Sequence, residues 1–387
     1  MHIAIVTIGT ELLRGLTVDT NSAFLGSFLN QQGYEVFLRL SLPDRPQAAS
    51  FGLKEVLAEA DFVITTGGLG PTLDDRTEKL LSPLFSKEPE RLPNPLGQAP
   101  ALFYREKNKA LLALPGVPAE MRACSRQFLL PSLAKIPMQK RSFILENIYL
   151  GEKGEKEVDA FLRQLQANHP GLDVGIYPGW GLLHVTLALA GEQARSCLCA
   201  IKEELFTRFS AYIYEAANGS IAEALHTYLL TQNYKLGFGE SCTGGALASR
   251  IAALSGASQY FLGSLVTYSN RYKELCFGVD STLLARYGAV SLETVRAMTE
   301  HLLYQLEADC VVCVSGIAGP SGGSQEKPVG TVAVGIAVPG EEPSYGYLAA
   351  PKERASCIDY TCNMTYFYLW RWLKHKIPPK FHDLPIT

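Results

Sequence analysis

Ser241 and Thr243 carry hydroxyls where an apolar run meets a glycine pair, in Gly237-Phe238-Gly239-Glu240-Ser241-Cys242-Thr243-Gly244-Gly245-Ala246. Ala246, Leu247, Ile251 and Leu254 then recur at helical spacing, so the stretch reads as strand, tight turn and helix from Thr243 onward. A hydroxyl at the mouth of a helix meets free N–H groups and the positive end of the dipole, which suits an anion or a developing oxyanion. The same residues also read as a plain N-capped helix start, since Ser and Thr are favoured caps.

A serine nucleophile needs a base, and none of the seven histidines sits in a glycine-rich strand-end turn; His226 and His301 fall within predicted helices. Lysine is the alternative, because an amine in a dry crevice binds its proton less tightly and can then accept one from a hydroxyl. Lys273 lies seven residues beyond a strand ending near Val266, with Tyr268 placed to relay or orient the proton. Spacing alone leaves Lys273 readable as a solvated helix lysine. Cys242 is a rival nucleophile, more simply read as a small packing residue. A buried strand over 311–314 delivers Ser315-Gly316-Ile317-Ala318-Gly319-Pro320. Strands that end repeatedly in small polar residues and glycine predict one shared crevice at their carboxyl ends.

The elements preceding these residues alternate. Strands over 2–8, 34–40 and 61–66 enclose helices over 20–32 and 46–60, which predicts a parallel sheet with crossover helices. The third strand runs into Thr66-Gly67-Gly68-Leu69-Gly70-Pro71-Thr72-Leu73-Asp74-Asp75. Its three glycines let backbone amides approach a phosphate, and Asp74 with Asp75 could hold a hydrated divalent cation. Asp19 and Asn21 follow the first strand and converge on the same crevice, as does the Pro115-Gly116 turn before a helix starting at Pro118. Residues 143–215 change pattern to a compact α+β unit, whose Gly151-Glu152-Lys153-Gly154 has the G-x-x-G spacing of a nucleic-acid clamp. Glu152, Glu155 and Glu157 suit it poorly to phosphate, which favours a spacer or dimerisation element. The 216–219 segment reads as a hinge.

The chain has 387 residues and a net charge of −3, enough for two or three domains and with no global nucleic-acid footprint. No apolar run reaches membrane-spanning length and the start lacks a signal-peptide shape, so a cytoplasmic location is expected. The nine cysteines are scattered, and Cys310-x-x-Cys313 falls inside a predicted buried strand without a second pair, so reduced thiols are expected rather than a zinc site.

The amino-terminal motifs (Ile8-Gly9-Thr10-Glu11-Leu12-Leu13, Asp19-Thr20-Asn21, 66–75 and 114–121) resemble the amino-terminal domain of the CinA, or competence/damage-inducible, family. That domain is similar to molybdopterin-binding domains, and the resemblance implies a metal-dependent ADP-ribose pyrophosphatase site at Asp19, Asn21, Gly67, Gly68, Gly70, Thr72, Asp74, Asp75, Pro115 and Gly116. One departure is that only 85–91 stand where family members carry a longer helical stretch of about thirty residues, a whole element plus loops. The 143–216 segment resembles the family's KH-like middle domain.

Glu240-Ser241-Cys242-Thr243-Gly244-Gly245, Val266-Thr267-Tyr268-Ser269-Asn270 with Lys273, Gly288-Ala289-Val290-Ser291, 315–320 and Glu326-Lys327-Pro328-Val329-Gly330-Thr331 resemble the family's carboxyl-terminal domain. It implies a nicotinamide-nucleotide amidohydrolase, converting nicotinamide mononucleotide to nicotinate mononucleotide and ammonia. Ser241 then corresponds to the nucleophile, Lys273 to the base and Tyr268 to the active-site tyrosine. Ser258, Thr243, Gly244, Gly245, Ser315, Gly319 and Arg354 would bind substrate, with oxyanion donors at 243–245. No cofactor is implied for this half, and a divalent metal for the amino-terminal one.

The expected fold class is α/β in three domains: molybdopterin-binding-like over 1–142, KH-like over 143–216 and amidohydrolase over 217–376. The expected partners are a small nucleotide substrate and a second copy in a homodimer, with neither membrane nor nucleic acid. The alternatives are the pyrophosphatase as the main activity and a non-enzymatic nucleotide- or pterin-binding adaptor for competence or recombination.

Overall fold

The computed structural model of the chain describes residues 1–70, 76–136, 143–217 and 219–384. Residues 1–145 with 188–199 form one compact unit, and 146–187 with 200–387 form a second.

The first unit is built on β1 (Ile3–Ile8), β2 (Val36–Leu42), β3 (Phe62–Thr66), β4 (Glu90–Leu92), β5 (Ala101–Glu106) and β6 (Lys109–Leu114), in the order β2-β1-β3-β6-β5-β4. β2, β1, β3 and β6 are parallel, as the alternation of strand and helix predicts, while β5 and β4 add an antiparallel edge. Side chains alternate between two cores: Ile3 and Ile5 pack with Leu25 and Leu29 of helix Thr20–Gln31, and Ala4, Val6 and Ile8 pack with Leu53 and Val56 of helix Pro46–Glu59. Covering both faces accounts for the fully buried β1 and β3. The shortened 85–91 segment leads from a 3-10 turn at Ser82–Leu84 into the edge strand β4.

β7 (Phe143–Gly151), β8 (Asp173–Pro178), β9 (Leu182–Ala190) and β10 (Ile213–Tyr214) form a four-stranded sheet in the order β10-β7-β9-β8, with helices Glu155–Asn168 and Ala194–Phe209. Residues 146–187 of it belong to the same compact unit as the carboxyl-terminal part. Tyr214 meets the rings of Phe367 and Trp370 edge-on at 6.5 and 6.2 Å, and its hydroxyl donates to Gly219 O at 3.0 Å. The Gly151–Gly154 loop is drawn inward as well: Glu152 pairs with the buried guanidinium of Arg371, and Lys153 with Glu157 at 3.1 Å.

The last sheet comprises β11 (Leu236–Glu240), β12 (Phe261–Val266), β13 (Cys310–Gly316), β14 (Thr331–Ala337) and β15 (Ser344–Ala349), in the order β12-β11-β13-β14-β15. β12, β11 and β13 are parallel and the other two antiparallel. Helices Ile221–Gln232 and Arg354–His375 cover one face, and helix Leu292–Leu306 the other. Cys310 belongs to the first core and Cys313 to the second, so the two thiols point to opposite sides and cannot share a metal. Among the described residues no three His, Cys, Asp or Glu side chains form a metal-sized cluster, and no helix is long and apolar enough to cross a membrane.

Candidate active site

Parallel pairing brings the carboxyl ends of β11, β12 and β13 side by side. Glu240 lies opposite Val266, and the pairing runs one step further as Thr267 N–H donates to Glu240 O at 2.8 Å. Ser241 therefore leaves its strand next to the turn that starts helix Asn270–Phe277, and Lys273 reaches back from that helix under the turn. Its Nζ donates to Ser241 Oγ and to Thr267 O, both at 2.8 Å. Lys273 is 1% exposed and Ser241 7%. Burial pushes the Lys273 amine below its ordinary 10.5, because a charged ammonium is disfavoured where water is excluded. The solvated-lysine reading is thereby replaced by a dry Ser–Lys pair at hydrogen-bond distance.

The helix expected from Thr243 onward begins only at Ala246, and its first turn is already occupied. Glu240, fully buried, accepts from Thr243 Oγ1 at 2.8 Å, Gly245 N at 3.0 Å and Leu247 N at 3.1 Å through Oε2. Through Oε1 it accepts from Ala248 N at 3.0 Å and Ser264 Oγ at 2.9 Å. Gly244 N–H closes the turn on Ser241 O at 3.1 Å. The expectation that 243–245 supply oxyanion donors is corrected accordingly: Gly244 and Gly245 are committed, and Thr243 serves Glu240 instead of capping the helix. Among the described residues, Ser241, Cys242 and Thr243 in this turn keep N–H groups without an oxygen partner. Glycine is required at 244 and 245, which hold φ of 60° and 98°. The Cys242 thiol is pushed up to about 12 by burial, so the thiolate that a cysteine nucleophile needs is suppressed.

Tyr268 departs from its expected relay role. Its side chain is 60% exposed, and its hydroxyl is hydrogen bonded to the Arg354 guanidinium, whose Nη1 also donates to Gly319 O at 2.9 Å. Lys273 lies below and meets the serine directly, so Tyr268 and Arg354 form the outer rim. Ser315, 1% exposed, donates to Ala289 O at 2.7 Å and so ties the end of β13 to the 288–291 turn. Ser258 is not brought to the site. It is exposed in the 3-10 turn Ala257–Gln259 that precedes β12, at the end where Leu236 N–H meets Tyr260 O, and Ser241 lies about 17 Å along the strand direction. Its expected role as a binding residue is corrected on that ground.

In the first unit a cleft of about 130 Å³ opens at the carboxyl ends of β1 and β3, lined by Asp19, Asn21, Gly67 and Gly116 among others. Asp19 caps helix Thr20–Gln31 by accepting from Ser22 N at 2.9 Å. Asn21 Nδ2 donates to Thr66 Oγ1 at 3.1 Å and Gly116 O at 2.8 Å, while its Oδ1 is buried with no partner among the described residues. Thr66 Oγ1 donates in turn to Pro115 O at 2.8 Å. A Cβ on Gly67, at φ 108°, would stand 2.2 Å from Ile8 O. Gly68 and Gly70 continue the turn without lining the cleft. Thr72, Asp74 and Asp75, with the expected metal ligands, lie outside the described residues.

Comparison with known proteins agrees with both halves. Residues 218–373 match the model of the CinA C-terminal domain, and 4–135 that of a probable molybdopterin binding domain. A CinA-like protein of Prochlorococcus marinus (strain MIT 9515) is 33% identical over 378 residues, covering 87% of each chain. The chain belongs to the CinA family. A CinA-like protein of Dictyoglomus thermophilum is 32% identical over 378 residues, covering 88% of this chain and 92% of that one. The crystal structure of the competence/damage inducible protein CihA from Agrobacterium tumefaciens is 31% identical, covering 38% of this CinA-family chain and 89% of its own, with a TM-score of 0.37.

Sequence reasoning quoted Glu240 and Thr267 within motifs but assigned neither a role. A carboxylate ending the apolar run Leu236-Gly237-Phe238-Gly239 was the available signal, since a buried charge demands partners.

Proposed function

We propose that this CinA-family protein is an amidohydrolase that deamidates nicotinamide mononucleotide, with Ser241 as nucleophile and Lys273 as base. The observation that carries the reading is the buried 2.8 Å contact between Lys273 Nζ and Ser241 Oγ together with the depressed amine. Neutral Lys273 takes the Ser241 proton as Oγ attacks the carboxamide carbon. The resulting oxyanion is served by the N–H groups left without partners at Ser241, Cys242 and Thr243, worth about 10²–10³ in rate per donor in comparable sites. As the C–N bond breaks, the Lys273 ammonium returns its proton to the leaving nitrogen and ammonia departs. Lys273 then deprotonates a water that attacks the acyl-serine ester, and the proton goes back to Ser241 Oγ as nicotinate mononucleotide leaves. No metal is needed for these steps.

Arg354 suits the ribose phosphate, because Tyr268 and Gly319 O hold its guanidinium at the rim and leave further N–H groups outward. The test is ammonia release from nicotinamide mononucleotide by the full chain and by its Ser241→Ala variant. Loss in the variant supports the reading, and retention refutes it.

A second reading concerns the first unit. Asn21 Oδ1, buried and without a partner among the described residues, supports a ligand with an N–H or O–H donor in that cleft, as a nucleotide or pterin offers. AMP release from ADP-ribose, assayed with and without Mg²⁺, tests whether binding there leads to pyrophosphatase chemistry.

A further inference from the structure

Glu240 is fully buried one residue before the nucleophile, yet the reaction described above does not use it. Its two oxygens collect five hydrogen bonds, from Thr243 Oγ1, Gly245 N, Leu247 N, Ala248 N and Ser264 Oγ. Three of these donors are the backbone groups that open helix Ala246–Ala252. Without the Glu240 carboxylate these three N–H groups would be left without their acceptor in the interior. The donors also come from three pieces of chain: the turn behind Ser241, the helix after it, and β12, whose end carries the Thr267 carbonyl that holds Lys273. One side chain thus fastens the nucleophile's turn to the neighbouring strand that anchors the base.

We propose that Glu240 is a positioning residue that holds Ser241 Oγ in register with Lys273 Nζ, and that by engaging Gly245, Leu247 and Ala248 it leaves the N–H groups of Ser241, Cys242 and Thr243 for the reacting carbonyl. The assignment rests on the Ser241–Lys273 reading of the site. Glutamate is specific here because all five neighbours donate and a carboxylate only accepts. A glutamine keeps the shape, but its Nε2 is a donor and cannot accept. Whichever way the amide is turned, at least one backbone N–H among 245, 247 and 248 loses its acceptor. The turn must then shift, and an error of about 1 Å between reacting groups costs on the order of 100-fold.

The five hydrogen bonds of the Glu240 carboxylate go neither to the rim formed by Tyr268 and Arg354 nor to Lys273 Nζ. The defect therefore belongs in kcat, with KM within about threefold and the pH midpoint of the base unchanged. A fold weakened without displacement of the pair would give the opposite pattern, with a lower melting temperature and ordinary kcat in the folded fraction.

The experiment measures kcat, KM and the pH profile of ammonia release for full-length Glu240→Gln, Ser264→Ala and Ser241→Ala, with circular dichroism and thermal melts of each. Expected are a 10- to 100-fold lower kcat in Glu240→Gln at nearly constant KM, and a smaller loss of about threefold to tenfold in Ser264→Ala, which removes one donor and keeps the carboxylate. A folded Glu240→Gln with wild-type kcat, or with a change confined to KM, overturns the proposal. If Glu240→Gln does not fold, Ser264→Ala decides, and wild-type kcat in that variant overturns it. Ser241→Ala separates the two readings: activity retained there refutes the Ser–Lys pair itself, whereas an inactive Ser241→Ala beside a fully active Glu240→Gln refutes only the role of Glu240.

Discussion

Replacing Lys273 by methionine keeps the length and apolar stem of the side chain while removing its nitrogen. Two hydrogen bonds of 2.8 Å disappear, one to Ser241 Oγ and one to Thr267 O. Ser241 Oγ has no other base within reach among the described residues, so the variant loses the whole general-base contribution, about 10²–10⁴ in kcat. At about 1.36 kcal/mol per tenfold, that is about 2.7–5.4 kcal/mol of transition-state stabilisation. The acid limb of the wild-type profile should follow the amine: kcat/KM rises with pH through the Lys273 pKa, at a midpoint below the ordinary 10.5, because only the neutral form accepts the proton. Stability carries a second signature. The folded state binds this proton less tightly than the unfolded chain does, so between the two pKa values unfolding takes up a proton and stability rises with pH. Wild-type stability minus that of Lys273→Met should therefore climb toward pH 10.5 and then level off. The assays are ammonia release and urea unfolding of both proteins across pH 6 to about 10.5, the unperturbed lysine pKa. Activity within tenfold of wild type in Lys273→Met, or a wild-type midpoint at or above the ordinary lysine value, refutes the argument.

Cys242→Ala should keep kcat within about threefold, since the thiol is held neutral and the backbone N–H remains, while stability falls by about 1 kcal/mol, read by urea unfolding. Arg354→Gln should raise KM for nicotinamide mononucleotide by about 10- to 100-fold, the worth of a charged hydrogen bond, and leave the nucleoside lacking phosphate nearly unaffected. Glu152→Gln leaves the Arg371 guanidinium, 1% exposed, without its carboxylate and should destabilise the second unit by about 3 kcal/mol in denaturant melts. Gly67→Ala forces a Cβ to within 2.2 Å of Ile8 O at φ 108° and should lower stability by about 2 kcal/mol or more, measured the same way.

The parallel strands β1, β2 and β3 and the helices between them were legible because strand and helix patterns alternate there. In β1 and β3 every residue is buried, and helices on both sides follow from the alternation of strand and helix. The edge strands β4 and β5 were not legible, for an antiparallel excursion of a few residues leaves no crossover helix to announce it. Ser241 and Ser315 were visible as hydroxyls at strand ends, a position set by the strand itself. Lys273 was not decidable, because whether a lysine three residues into a helix faces water or the core depends on how the helix docks. Ser258 shows the converse failure: its place in a glycine-bounded turn matches the other site turns, yet the strand it precedes begins rather than ends there.

The helix-mouth argument fails and succeeds in the same residues. An N-terminal turn does attract negative charge, and the sequence placed that charge outside the protein, on a substrate or an oxyanion. The fold supplies it from within, since Glu240 reaches forward from the strand to the N–H groups of Gly245, Leu247 and Ala248. The dipole is consequently spent on holding the turn, and substrate recognition has to come from elsewhere. That requirement gives the rim its significance: Arg354 is exposed and held by Gly319 O and by Tyr268, next to the Thr267 carbonyl that anchors Lys273. The proposed division, with a carboxylate fixing the serine turn and a guanidinium for the substrate phosphate, predicts that loss of Glu240 appears in kcat and loss of Arg354 in KM. Swapped effects in those two variants would mean that the helix mouth binds substrate after all.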